Sequence, residues 1–144
     1  MGNDLWRQEI RTLIGDLATL IGRCLIALLF LGGALQKTVN PAPAMQLLAA
    51  QGWPDWLIWP ALMFNLAAGL ALLTGVWLVP FAALLAGYCA VTSLFHYIPA
   101  DPWQVTIFVK NWAIAGGCLV LAAHGAGRFT LQRKRKLAPH NGTS

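Results

Sequence analysis

Charged residues are scarce in this chain. They make up 10% of its 144 residues, whereas a soluble domain of this size carries roughly 25%. The stretch from Trp56 to Ala100 contains no Asp, Glu, Lys or Arg. Because a helix needs about 20 apolar residues to cross a bilayer, this stretch is too long for one crossing and long enough for two. The shortage of charge therefore excludes an ordinary soluble domain and predicts an integral membrane protein that contacts the lipid bilayer.

Several catalytic signatures are also absent. There is no C-x-x-C pair, phosphate loop, nucleophile elbow or pair of carboxylates suited to acid–base work. The cysteines lie inside apolar runs and are interpreted as small buried residues. The histidines are not spaced as a metal cluster, so no metal site is predicted. These residues are Cys24, Cys89, Cys118, His96, His124 and His140.

The basic residues lie mainly at the two ends of the chain. The net charge is +5, and basic flanks beside apolar spans are typical of membrane proteins. We therefore expect no nucleic-acid partner. Arg7 and Arg11 precede the first apolar run, and a cluster of Lys and Arg follows the last one. The positive-inside rule then places both termini in the cytoplasm.

Four apolar runs predict an all-α fold, a bundle of four transmembrane helices. The first run is too long for a signal peptide and is interpreted as a retained anchor. A short interfacial helix is expected between the first two spans. We divide the chain into a polar segment at 1–12, a membrane domain at 13–127 and a basic cytoplasmic tail at 128–144. The spans are expected at about Leu13–Leu35, Trp56–Leu73, Pro80–Tyr97 and Pro102–His124.

Polar residues gather at the predicted outer side of this bundle. Lys37 and His96 lie at the outer ends of the first and third spans, and Asp101 precedes the fourth. Lys110 is eight residues past Pro102, so it lies about 12 Å into the helix at ~1.5 Å per residue. Such a lysine either snorkels outward or faces the bundle interior and marks a functional site. His96 also suits an interfacial aromatic position, and Asp101 suits a helix cap with Gln104 as its capping-box partner.

Arg23 is a second unusual residue, because it lies well inside the first span. A guanidinium group stays charged and needs partners in hydrocarbon. Asp16 is seven residues earlier, near the same helix face, and Asn65 lies in the middle of the second span. Two interpretations stay open: a polar clamp between helices formed by these three residues, or a cationic contact for the head group of a ligand.

The chain resembles the DoxX family from about Gly22 to Leu131. The resemblance is carried by "GRCLIALLFLGGALQK", "LLAAQGWP", "NLAAGLALLTG" and "VKNWAIAGGCLVLAAHGAGRFTL". The family often has Glu where this chain has Asn65, and Gly-Pro-Gly-Arg where this chain reads "GAGR". The residues that match the family pattern are Arg23, Gly33, Lys37, His96, Lys110, Asn111, Gly116 and Gly117.

This resemblance implies a small four-helix protein of the bacterial inner membrane with a link to redox chemistry. One hypothesis is an accessory subunit of a quinone-linked oxidoreductase that works with a redox partner protein or a second copy of the chain. A quinone or similar small molecule would then lie near the outer leaflet. The alternative is a non-catalytic scaffold, in which the polar residues are structural. The expected ligand-binding residues are Lys37, His96, Tyr97, Trp103, Lys110 and Asn111.

Overall fold

The structure, a computed structural model, describes residues 2–131 and consists of helices joined by short connections. Four helices are long and apolar enough to cross a membrane, which confirms the predicted all-α fold with four spans. The orientation of the termini stays a prediction. In chain order the helices are α1 (Gly2–Val39), α2 (Ala42–Ala50), a 3₁₀ turn (Asp55–Leu57), α3 (Ile58–Thr74), α4 (Leu78–Phe95) and α5 (Pro102–His124).

The helix α1 starts well before the predicted first span. It is a single helix of 38 residues and is about 57 Å long at ~1.5 Å per residue. The hydrocarbon core of a bilayer is about 30 Å thick, so α1 extends beyond the rest of the bundle at its N-terminal end. The sequence before Leu13 contains no proline, and nothing there interrupts the helical hydrogen bonds. The division into segments at 1–12, 13–127 and 128–144 stays a prediction.

The ends of the spans have local causes that the sequence shows. The Asp101 carboxylate accepts hydrogen bonds from the backbone N–H groups of Trp103 and Gln104, at 2.9 and 3.4 Å. With Pro102 as its first residue, α5 has the bounds that the sequence predicts. The helix α3 ends at Gly75, whose φ of 73° lies in the left-handed region that glycine adopts most easily.

The helices form an up-and-down bundle made of two close pairs. The helix α1 packs mainly on α3 and α4 mainly on α5, with smaller contacts from α3 to α4 and from α1 to α5. Close approach of α1 and α3 depends on Gly69, since a Cβ atom there would lie 2.7 Å from the Leu31 side chain. Small residues such as Gly69 let helices approach closely, and this close packing drives helix association in lipid.

The buried core is not spread evenly along the bundle. We call the end where α1 enters and α5 leaves the terminal end, and the opposite end, which holds α2 and the α4–α5 connection, the loop end. Most core residues lie in the terminal half, whereas no residue of α5 before Ala115 is buried. The loop half is therefore looser around α5, whereas Ala34, Ile58, Leu62 and Ser93 are buried between the other helices there. The core comprises Ala27, Phe30, Ala68, Leu72, Leu78, Ala82, Leu85, Ala86, Cys89, Ala115, Cys118 and Leu121.

Candidate functional site

The segment after α5 folds back across the terminal end of the bundle. We call residues 125–131 the strap. Arg23, which is 2% exposed, holds the strap with its guanidinium group. Its Nη1 atom donates to the backbone oxygen of Ala126 at 2.8 Å, and its Nη2 atom donates to Phe129 and, at 3.4 Å, to Leu73 of α3. One arginine thus connects α1, α3 and the strap.

Asp16 fixes the same strap at a second point. Its carboxylate accepts a hydrogen bond of 3.2 Å from the backbone N–H of Arg128 and lies 3.7 Å from the Arg128 Nε atom. A third attachment joins the strap to the end of α3, where the backbone N–H of Leu131 donates to the backbone oxygen of Thr74 at 2.9 Å. Gly127, with a φ of 69°, passes so close to Asp16 that a Cβ atom would lie 2.8 Å from its carboxylate oxygen.

These contacts differ from the expected clamp of Arg23 with Asp16 and Asn65. The guanidinium group binds backbone carbonyls, and the Asp16 carboxylate binds Arg128 instead. The reason is that the strap brings several carbonyl oxygens to a buried cation, and five N–H donors are better satisfied by several acceptors than by one. The sequence signal for the strap is the pair of glycines in "GAGR", because Gly125 and Gly127 both adopt positive φ.

Asn65 lies in the middle of the bundle and is 3% exposed. Its side chain is next to Tyr88 of α4, whose ring contacts Phe30 and Phe64. The Asn65 Oδ1 atom has no hydrogen-bond partner among residues 2–131. Asn65 therefore lies with aromatic side chains from α1, α3 and α4, and not with Arg23.

At the loop end, His96 is paired with α5. Its Nδ1 atom lies 2.6 Å from the Gln104 Oε1 atom, so the Gln104 side chain joins α4 to α5. The backbone N–H of Gln104 still binds the Asp101 carboxylate, but the Gln104 side chain does not complete the expected capping box, because the Asp101 N–H donates to Ile98 instead. Asn111 is half-buried, one helical repeat before the buried Cys118. Gln104, Asn111 and Cys118 are spaced by seven residues and lie on one face of α5, the face toward α4.

Tyr97 lies on one flank of α5. Its ring packs on Phe108 with a centroid distance of 5.4 Å, and Phe108 contacts Trp112 at 6.4 Å. Trp103 is 70% exposed and precedes Lys110 by seven residues, so these two residues share the opposite flank. The structure therefore separates the two aromatic residues that were expected on either side of one ligand.

Lys110 is exposed on the flank of α5 that approaches α1. Seven residues further on, Gly117 is so close to α1 that a Cβ atom would lie 3.4 Å from the Ile26 side chain. On α1, Gly33 is seven residues after Ile26 and therefore lies on the same face of the helix. Lys37, four residues after Gly33, lies on that face too. The space between α1 and α5 on the loop side of the Ile26–Gly117 contact is called the seam. By this helical register, Lys37 of α1 and Lys110 of α5 lie on the sides of their helices that border the seam.

Counted from the Ile26–Gly117 contact, the two lysines lie within about 6 Å of each other along the bundle at ~1.5 Å per residue. A long side chain on a helix points toward the helix N-terminus, and α1 and α5 run in opposite directions. The half-buried Lys37 follows this rule, with its Nζ atom 3.5 Å from the Gly33 backbone oxygen. Lys110 leans toward the loop end by the same rule. Within the described residues the salt bridge between Asp16 and Arg128 is the only one, so both ammonium groups lack an acidic partner there.

The four spanning helices define the class of the protein, a multi-pass membrane protein. The sequence pattern of the DoxX family matches residues 18–98. The chain is also similar to the inner membrane protein YqjF of Escherichia coli (strain K12), with 31% identity over 119 residues, which cover 82% of this chain and 92% of the relative. No solved structure matches. The chain belongs to the DoxX family and is a multi-pass protein of the bacterial inner membrane.

Proposed function

We propose that this protein is a redox-associated membrane subunit that binds a quinone or a similar small molecule in the loop half of the bundle. The observation that carries the proposal is the pair of lysines in the seam, Lys37 and Lys110, beside the exposed ring of Trp103. Ammonium groups donate hydrogen bonds to the carbonyl oxygens of a quinone, and an indole packs well against a flat ring. Ligand sites are typically apolar with a few such polar groups.

The rest of the structure supports entry from the loop half. At the terminal end, Arg23 and the strap lie across a closely packed core, although an open cleft beside the strap is lined by Gly75, Leu78 and Ala126. The helices α1 and α5 make few contacts with each other, and Lys110 and Trp103 are exposed on the seam side of α5. His96 and Asn111 act indirectly in this proposal: His96, at the end of α4, contacts Gln104 of α5, and Asn111 lies on the side of α5 that faces α4. Tyr97 supports α5 through Phe108. Electrons would come from a partner protein.

The test measures quinone binding by the purified protein in lipid nanodiscs. A short-chain quinone quenches tryptophan fluorescence when it binds, and Trp103 is a suitable reporter. We expect the Lys110→Met variant to bind at least about tenfold more weakly, because one hydrogen bond from a charged donor contributes about 1.5–3 kcal/mol. Arg11→Met removes a cation from the exposed N-terminal part of α1 and serves as the control. Equal affinity of all three proteins would contradict the proposal.

The scaffold role is the second candidate, and the N-terminal part of α1 favours it. Leu5, Trp6 and Ile10 are 62%, 49% and 44% exposed on turns that extend beyond the bundle. Such side chains suit contact with another protein or a second copy of this chain. In that case a Leu5→Ser, Ile10→Ser variant loses its partner subunits in native mass spectrometry, while Lys37 and Lys110 variants bind quinone as the unaltered protein does.

A further inference from the structure

The seam carries two positive charges, and a neutral quinone cannot neutralise them. Lys37 and Lys110 are two cations with no carboxylate beside them among the described residues. The acids at the loop end are Asp55 and Asp101; neither forms a salt bridge among residues 2–131, and the Asp101 carboxylate caps α5. Cations within a membrane span are costly unless they are paired or reach water. The seam therefore calls for an anion that is supplied from outside the chain.

The depth of the two lysines indicates where that anion comes from. The level between Gly33 and Lys37 lies about 3–9 Å below the end of α1 at Val39, at ~1.5 Å per residue. This depth is just below the head groups of the leaflet at the loop end. The seam opens sideways to the same leaflet, because Lys110 and Trp103 are exposed on its α5 side. An amphiphile can enter it from the lipid without crossing the bundle.

The chemistry favours a phosphate group. Two ammonium groups from facing helices donate to different oxygens of one phosphate, and lysine binds phosphate as a point charge. The Lys37 ammonium lies at the level of Gly33, with its Nζ atom 3.5 Å from the Gly33 backbone oxygen. The exposed Leu28 and Leu29 continue the surface of α1 below this level and offer contact to acyl chains.

We infer that the seam binds one anionic phospholipid from the leaflet at the loop end, with its phosphate between Lys37 and Lys110. The lipid neutralises both cations and fills the loosely packed side of the bundle. This inference concerns a lipid and stands apart from the quinone proposal, although both ligands use the same lysines. A quinone that enters the seam displaces the lipid or takes the place beside Trp103.

Native mass spectrometry tests the inference on the full chain. The protein is exchanged into detergent with equal amounts of phosphatidylglycerol, which is anionic, and phosphatidylcholine, which is zwitterionic. We expect one phosphatidylglycerol to be retained with a preference of about tenfold, since each lysine near a membrane surface contributes to the attraction of anionic lipid. A Lys37→Met, Lys110→Met variant should retain both lipids equally. A Lys37→Arg, Lys110→Arg variant should keep the preference, because it keeps both charges.

The basic tail requires its own control, because it also attracts anionic lipid. Replacement of Arg133, Lys134, Arg135 and Lys136 by Gln should leave the preference for one phosphatidylglycerol intact. Loss of the preference in this variant, or its persistence in the double Met variant, would overturn the inference. The quinone titration separates the two proposals: a double Met variant that loses lipid preference but still binds quinone contradicts the proposed function alone. An unaltered protein that binds quinone but shows no lipid preference contradicts the lipid site alone.

Discussion

Arg23 shows how a single residue can be identified from the sequence while its partners are not. A permanent cation well inside an apolar run is visible in the sequence, and burial with several partners follows from its chemistry. Its actual partners, the backbone oxygens of Ala126 and Phe129, are more than a hundred residues away along the chain. No side-chain pattern predicts a contact with backbone carbonyls, so the sequence suggested carboxylate and amide partners instead.

The strap should loosen when Arg23 is replaced by Lys. A lysine keeps the positive charge but cannot span several carbonyls as a planar guanidinium does. Trypsin cleaves after Arg128, whose backbone is held by Asp16. We expect cleavage at Arg128 to become at least about tenfold faster in Arg23→Lys, since an opening that is about 1.4 kcal/mol easier is tenfold more populated.

The cleavage is measured in detergent by mass spectrometry of the fragment that ends at Arg128. Arg11→Lys is the matched control, because Arg11 is exposed on α1 outside the bundle. An unchanged rate in Arg23→Lys would mean that Arg23 does not hold the strap.

Gly127 provides a second test of the strap. Its φ of 69° is unfavourable for any side chain, and a Cβ atom would lie 2.8 Å from the Asp16 carboxylate oxygen. We expect Gly127→Ala to accelerate the same cleavage at Arg128, since positive φ costs about 1 kcal/mol or more for alanine. Gly32→Ala on α1 should have no effect, because no atom lies within 4 Å of its added Cβ. Equal cleavage rates for the two variants would show that the strap accommodates a side chain at position 127 without loosening.

For single elements, the sequence predicts where each helix begins and ends better than it predicts which helices pack together. Apolar length, prolines and caps determine where a span begins and ends, and α5 matches its prediction at both ends. For the first twelve residues the sequence leaves a helix and a frayed segment both open, because charged and apolar residues alternate there, and the structure shows a helix from Gly2 onward. Which helices pair depends on shape, and small residues such as Gly69 are visible in the sequence only as candidates for close contact.

The contact between α1 and α3 should be sensitive to Gly69. An added methyl group would lie 2.7 Å from Leu31, so Gly69→Ala forces the two helices apart. Overpacking of this kind costs about 1–3 kcal/mol, and we expect a lower midpoint of thermal unfolding in detergent. Gly116→Ala on α5 is the control, because nothing lies within 4 Å of its added Cβ and alanine favours a helix by up to about 1 kcal/mol. A Gly69→Ala protein as stable as Gly116→Ala would argue against this packing.

At the scale of the whole molecule, the direction of insertion rests on the distribution of Lys and Arg. Both termini are predicted on the cytoplasmic side, which puts the seam in the outer leaflet. A cysteine introduced at Asp4 should then react with a membrane-permeant maleimide but not with an impermeant one added to intact cells, whereas a cysteine at Asp55 should react with both. The native cysteines are replaced by Ala for this test. The opposite labelling pattern would mean that both termini lie on the outer side of the membrane.

The candidate site is only partly predictable at this scale. The sequence places Lys37, His96 and Lys110 at one end of the bundle, because depth follows from position within each span. It does not show that His96 faces Gln104 while the two lysines face the space between α1 and α5. That difference depends on how α5 is rotated against its neighbours, and the close approach of Gly117 to Ile26 sets the rotation.

Both ligand proposals require that Lys37 and Lys110 face each other across the seam. A short, membrane-permeant crosslinker that joins two amines, applied in nanodiscs and followed by mass spectrometry of the digested protein, measures whether they do. We expect a crosslink between Lys37 and Lys110 within one chain, and its loss in Lys110→Arg. If both lysines react with the reagent singly but are never joined to each other, they do not share a site, and both ligand proposals fail.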